Sequence, residues 1–262
     1  MRLAAGDFDA FYGSRLGEAA VYIMLKRLAD LWGDCEGLDV LGMGHAHPLL
    51  EAYSRTAHAC IAATPHNAAG EHWAATERGI SACITDEDRL PFADGAFDRI
   101  ILLHAMEEAD SPRAVLREAW RLLAPEGRLL VAVANRKSLW SLFGNTPFGH
   151  GRPWSRRQLI AYLNDHLFQV TASTTAVHLP PVSWGFFASS AEGWEKVGRL
   201  VSPGLGGVVM VEALKRLYAR PGGGAPAPVT GLAPERKGVA QLPRNEADVH
   251  EAKNCNKMRV DR

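Results

Sequence analysis

The sequence predicts an α/β fold, a doubly wound, mostly parallel seven-stranded sheet with an antiparallel edge strand. Three observations carry this expectation. Asp86 to Val133 reads DEDRLPFADGAFDRIILLHAMEEADSPRAVLREAWRLLAPEGRLLVAV: an acidic turn, a buried strand, a capped helix, a Pro-Gly turn and a second buried strand. That order builds one half of an open sheet, with a ligand crevice at its strand ends. Within it, Ile100, Ile101, Leu102 and Leu103 are apolar in a row, which suits a central parallel strand covered on both faces. Upstream, Leu38 to Met43 forms a short apolar strand that runs into Gly44.

The remaining elements follow in order. Phe11, Leu16, Ala19, Ile23, Leu25, Leu28 and Trp32 make an approximately helical stripe over residues 10 to 32. Pro48 opens the next helix, where its missing N–H costs little. Ala57 to Ala63 and Ile80 to Ile84 are the second and third strands, and Phe97 to Leu103 is the fourth. Ser111-Pro112 starts a helix with a capping hydroxyl and a proline in the first turn. Ala124-Pro125-Glu126-Gly127 suits a type I turn, and Leu129 to Val133 is the fifth strand. Ser155 with Gln158 forms a capping box. Gln169 to Val177 and Val208 to Leu214 supply the last two strands, paired antiparallel. After Tyr218 the composition turns to Pro, Gly and Ala. The expected organisation is one α/β domain over 1–220 and a disordered tail over 221–262.

Composition narrows the function classes. The 262 residues, 47% of them hydrophobic, suit one sizeable core. Lys+Arg and Asp+Glu are both 29, so the overall charge gives no sign of a nucleic-acid partner. No apolar run approaches the roughly 20 residues that span a bilayer, and the N-terminus lacks a signal-peptide core. The expectation is a cytoplasmic protein acting on a small molecule, without a membrane. Cys35, Cys60, Cys83 and Cys255 are spaced as reduced thiols.

The segment 86–127 resembles the class I methyltransferases that use S-adenosylmethionine, whose usual form is D-x-x-x-L-P-F-x-D-x-x-F-D, a strand, then R-x-L-x-P-x-G. The resemblance implies a Rossmann-like fold, S-adenosyl-L-methionine as cofactor, and a set of site residues. Gly42 and Gly44 match the first two glycines of the family's loop after the first strand, and Ala46 stands at the third. Val40 stands where the family has an acidic residue. The second strand ends without a carboxylate, leaving Thr64, with His66 beside it, for the ribose. Asp86 takes the place of the residue that accepts from the adenine amino group, with Glu87 next to it. His104, at the end of the fourth strand, faces the crevice and is the candidate general base. In the loop after the fifth strand, His150, Arg152 and Trp154 are candidate substrate contacts, Arg152 for an anion. Tyr12, Trp140 and Trp154 are candidates for an apolar pocket wall.

Two other readings compete. His45, His47, His58, Cys60, His66 and His72 fall within 28 residues, with His45-x-His47 and His58-x-Cys60 as pairs. None has the spacing of a known zinc module, so no metal site is expected. The missing acidic residues at position 40 and after the second strand point to the alternative of a catalytically inactive methyltransferase-like protein that regulates or binds a partner.

Overall fold

A computed structural model describes residues 5–65, 81–142, 146–180, 191–201 and 204–216. The tail expected over 221–262, and His66 and His72, lie outside the described residues. In chain order the elements are α1 (Ala5–Tyr12), α2 (Arg15–Trp32), β1 (Asp39–Gly44), α3 (His47–Leu50), β2 (Ala59–Pro65), β3 (Ser81–Thr85) and β4 (Phe97–Leu103). There follow α4 (Ala105–Glu108), α5 (Pro112–Leu122), β5 (Leu123–Ala134), α6 (Arg156–Asp165), β6 (Phe168–Ala176), α7 (Ala191–Val201) and β7 (Val208–Lys215).

The strands form one seven-stranded sheet in the order β3-β2-β1-β4-β5-β7-β6. β1 to β5 pair in parallel, and β7 runs antiparallel to both β5 and β6. The predicted fold class is therefore the observed one. The order reverses between β1 and β4, and a crevice opens where two neighbouring connections leave in opposite directions.

Strand alternation sorts the core into two faces. Val40, Cys60, Ala62, Ile101, Leu103, Leu130, Ala132 and Met210 point to one face and pack under α1, α2 and α3. Leu41, Met43, Ile100, Leu102, Leu129, Val131 and Val211 point to the other and pack under α4, α5 and α6. No helix among the described residues is long and apolar enough to cross a membrane. Cys35, Cys60 and Cys83 are buried. Burial pushes the Cys35 thiol up to about 11 and that of Cys60 up to about 12.

Two local expectations need correction. The single helix expected over 10–32 is two helices. Ser14 interrupts it, its hydroxyl accepting from the Gly17 N–H at 3.1 Å as the cap of α2. The cap satisfies an amide that would otherwise be an orphan, so the break is favoured at that residue. The turn at Ala124–Gly127 is not type I, because Glu126 has φ of +58°. α5 ends at Leu122 and β5 begins at Leu123 with no intervening loop, and this tight reversal needs one residue in the left-handed region.

The acidic segment is held by α5. Glu118 Oε1 accepts from the Leu90 N–H at 2.7 Å and from Arg121 at 2.6 Å. Arg121 also donates to the carbonyls of Leu90 and Phe92 and to Asp94. Asp98 accepts from the Asp39 N–H at 3.1 Å, joining β4 to β1. Glu118→Ala should therefore lower the unfolding free energy by about 2–3 kcal/mol, since it leaves the buried Leu90 amide without an acceptor and removes one of the carboxylates that hold Arg121. A urea midpoint shift at unchanged slope reads this out.

Candidate functional site

β1 and β4 are neighbours, and their C-terminal ends touch. The His45 N–H donates to the Leu103 carbonyl at 2.8 Å. Gly44 has φ of +77°, and a Cβ there would lie 2.5 Å from the Leu103 oxygen and 2.9 Å from Ala105. A Cβ on Gly42 would lie 2.6 Å from Leu50 and 2.8 Å from Ala46. Both glycines are thus required by close approach of protein to protein. Ala46 is buried against this contact.

The next residue of each strand, His45 and His104, emerges beneath α1. Phe8 lies 4.5 Å from the His45 ring and 5.1 Å from the His104 ring, centre to centre. Tyr12 stacks on His45 at 5.5 Å, and its hydroxyl lies 2.6 Å from His104 Nε2. His104 Nδ1 lies 3.4 Å from Glu107 Oε1, which also accepts from the Ala134 N–H at 2.7 Å. Burial, and then the Glu107 charge, hold the Tyr12 phenol well above its ordinary range. Tyr12 therefore stays protonated, and its hydroxyl shares one hydrogen bond with His104 Nε2 while Nδ1 of the same ring faces Glu107. The result is a buried chain from Tyr12 through His104 to Glu107. His104 itself has φ of +58°, a left-handed conformation uncommon for a side-chain-bearing residue.

Two spaces adjoin this chain. One is a cavity of about 10 Å³ at the ends of β1, β2 and β3, room for about one water. Gly44, Thr64, Glu87, Leu90, Ala105 and Val115 are among its walls. The other is a cleft of about 460 Å³ between α1, α2 and α3, whose polar walls are Asp9, Tyr12, Glu18, Tyr22, His47 and Glu51.

The residues named from sequence are distributed as follows. Gly44, Thr64 and Glu87 meet at the small cavity. Asp86 is exposed outside it, its carbonyl accepting from the Arg89 N–H at 3.3 Å. Tyr12 and His104 are joined, and Tyr12 is also a wall of the cleft. Arg152 is exposed, and its N–H donates to the Glu107 carbonyl at 3.1 Å; His150 is half-buried in the same loop. Trp154 packs on the second face with Tyr162 at 5.1 Å, on the opposite side of the sheet from Tyr12. Trp140 is buried on the first face, its indole N–H donating to the Leu179 carbonyl at 2.8 Å.

Sequence reasoning missed Phe8, Asp9 and Glu107. Glu107 carried a signal, since it follows His104 by three residues and so shares its face of a helical turn. Asp9 carried none beyond its charge. It brings a carboxylate to His45 and His47, with Asp9 Oδ1 3.6 Å from His45 Nε2 and 4.0 Å from His47 Nε2. Burial, then His47 and His104, push the His45 imidazole down to about 2. Burial pushes His47 down to about 3 and raises Asp9. Tyr12→Phe should cost about 1–3 kcal/mol of stability, because it leaves a buried imidazole nitrogen without its hydrogen-bond partner. A double-mutant cycle with His104→Ala, followed by urea unfolding, isolates that pair.

Residues 38–131 match the family model described as a methyltransferase domain. An uncharacterized protein of Methanocaldococcus jannaschii is 33% identical over 64 residues, which is 24% of this chain and 31% of that protein. The chain thus matches less than a third of that curated relative's length. A crystal structure of a methyltransferase from Thermotoga maritima, described as S-adenosylmethionine-dependent and as a possible histamine N-methyltransferase, has a TM-score of 0.61 at 16% identity, covering 80% of this chain and 95% of that one. An S-adenosylmethionine-dependent methyltransferase from Aquifex aeolicus has a TM-score of 0.58 at 16% identity, covering 82% and 100%. At such identities the likeness is one of fold.

Proposed function

We propose that this chain, whose residues 38–131 match a methyltransferase domain, is a class I S-adenosylmethionine-dependent methyltransferase that methylates a small acceptor bound in the cleft under α1 and α2. The observation that carries the reading is the cavity at the ends of β1, β2 and β3, the strand-end position where open sheets take ligands. Its wall chemistry fits the nucleoside end of S-adenosylmethionine. Leu90, Ala105 and Val115 are apolar, the Thr64 hydroxyl is buried at the rim, and Glu87 brings a carboxylate that accepts from an amino group or ribose hydroxyls. Glu87 is the better placed of the two acidic candidates, since Asp86 is not among the cavity walls. Room for a nucleoside requires a wall to move outward.

When bound, S-adenosylmethionine supplies the methyl group from its sulfonium, so the protein's part is to position, desolvate and take up a proton. The cleft walls carry three carboxylates, Asp9, Glu18 and Glu51, beside Tyr12, Tyr22 and His47, and no Lys or Arg, which suits an amine-bearing acceptor over an anionic one. As methyl is gained, the acceptor's proton leaves toward the Tyr12–His104–Glu107 chain. His104 Nε2 is the base within that chain, reached through Tyr12. The expected substrate contacts His150, Arg152 and Trp154 do not line this cleft.

A second reading has one observation in its favour: the nucleoside cavity admits only a water, and the space beside Gly42 is filled by Leu50 and Ala46. On that reading the fold is a non-methylating binding module. Calorimetry of the full chain with S-adenosylmethionine separates the two. Micromolar binding, weakened about tenfold or more by Glu87→Ala and much less by Asp86→Ala, is the expected result. An absence of heat at millimolar ligand would hand the fold to the second reading.

A further inference from the structure

Beyond any methylation chemistry, the cleft holds a set of ligand-type side chains that the sequence keeps apart. Asp9 comes from α1. His45 comes from the connection between β1 and α3, and His47 is the first residue of α3. One ligand atom from each of the three lies within 4.8 Å of the other two. The two rings meet edge to face, 4.2 Å between centres at 74°. Tetrahedral zinc with bonds of about 2.0–2.1 Å places its ligand atoms roughly 3.4 Å apart. The observed 3.6 and 4.0 Å from Asp9 Oδ1 to the two histidine Nε2 atoms are thus within a rotamer adjustment of that geometry.

The His45 ring is fixed independently of any ion. Phe8 stacks on it at 4.5 Å and 23°, and Tyr12 at 5.5 Å and 14°. A ligand held by packing is pre-organised, which is what a metal site requires of its surroundings. His47 and Asp9 face the cleft of about 460 Å³, so a fourth position points into open space. Three protein ligands and one open position is the arrangement of reactive zinc sites, whereas structural sites use four. Two imidazoles with one carboxylate favour a divalent first-row transition ion over calcium or magnesium, which take oxygen ligands.

We propose that Asp9, His45 and His47 bind a zinc-class divalent ion that pins α1 to the loop after β1 and leaves one coordination position open to the cleft. The ligand for that position is a lone-pair donor, a water or an acceptor's oxygen or nitrogen. The ion site stands without the methyl-transfer reading, and only its use for the acceptor rests on it.

The test uses untagged full-length protein, stripped with a chelator and desalted, then titrated calorimetrically with zinc chloride. The expected result is one equivalent bound at micromolar or tighter affinity. Asp9→Ala and His47→Ala should each weaken binding by about tenfold or more. His58→Ala removes an exposed histidine that pairs with Asp39 elsewhere, and should leave binding unchanged. The Asp9 side chain is 53% exposed, so Asp9→Ala should retain the fold, and circular dichroism checks this. Two results overturn the proposal: no binding up to millimolar zinc, or binding of equal strength in folded Asp9→Ala. Neither depends on S-adenosylmethionine, so this proposal and the methyltransferase reading fail separately.

Discussion

The approach of the β1 loop to the end of β4 is the constraint on which the site depends. Gly44 in its left-handed conformation lets the backbone pass within hydrogen-bonding distance of Leu103, and any larger residue would strike the Leu103 carbonyl. The two central strands are thereby locked at their C-terminal tips. The residue following each tip is a histidine, and both emerge beneath one helix. His104 is held in a left-handed conformation that costs of order 1–3 kcal/mol. Its two ring contacts, with Tyr12 and Glu107, offset that strain. In this way the switch point of the sheet carries the polar groups as well as the strand reversal.

The motif that gives the chain its family resemblance has a largely different task. Arg121, at the start of R-x-L-x-P-x-G, grips the carbonyls of Leu90 and Phe92 and the carboxylates of Glu118 and Asp94. Asp98 ties β4 to the first residue of β1. These contacts fix the loop between β3 and β4 onto α5, and so fix where Glu87 stands. Glu87 Oε1 in turn accepts from the Asp110 N–H at 3.3 Å, just ahead of α5. The acidic motif thus shapes the cavity from outside, and most of its members never reach the space within.

Legibility in the sequence follows the range of the interactions involved. Alternation and run length located the strands, because burial on one or both faces of a sheet leaves a periodic trace. The caps at Ser111 and Ser155 were legible for a similar reason: capping is local chemistry within three residues. Tyr12 and Trp154 were grouped as one pocket wall, yet they lie on opposite faces of the sheet, since the face of a helix depends on a crossover that no local pattern encodes. Asp9 gives no local sign of its place, because nothing within one turn of it shows that a loop more than 30 residues away will return to meet it. His45-x-His47 was visible as a pair, but a pair has no meaning as a site until the third group is placed.

The buried chain and the cleft both depend on α1. Eight residues are too few for a helix to be stable alone, so α1 is helical because of what it touches. Phe8 contacts both histidine rings, Tyr12 closes over His104, and Asp9 faces His45 and His47. The apolar contacts bury the helix, and the polar ones set its register, since a turn of the helix would separate Tyr12 from His104 and Asp9 from both imidazoles together. The proton-carrying chain and the cleft wall are therefore not independent features. Whatever loosens the hold of Tyr12 on His104 also withdraws the carboxylate from the histidine pair, and whatever binds at that pair tightens the cover over His104.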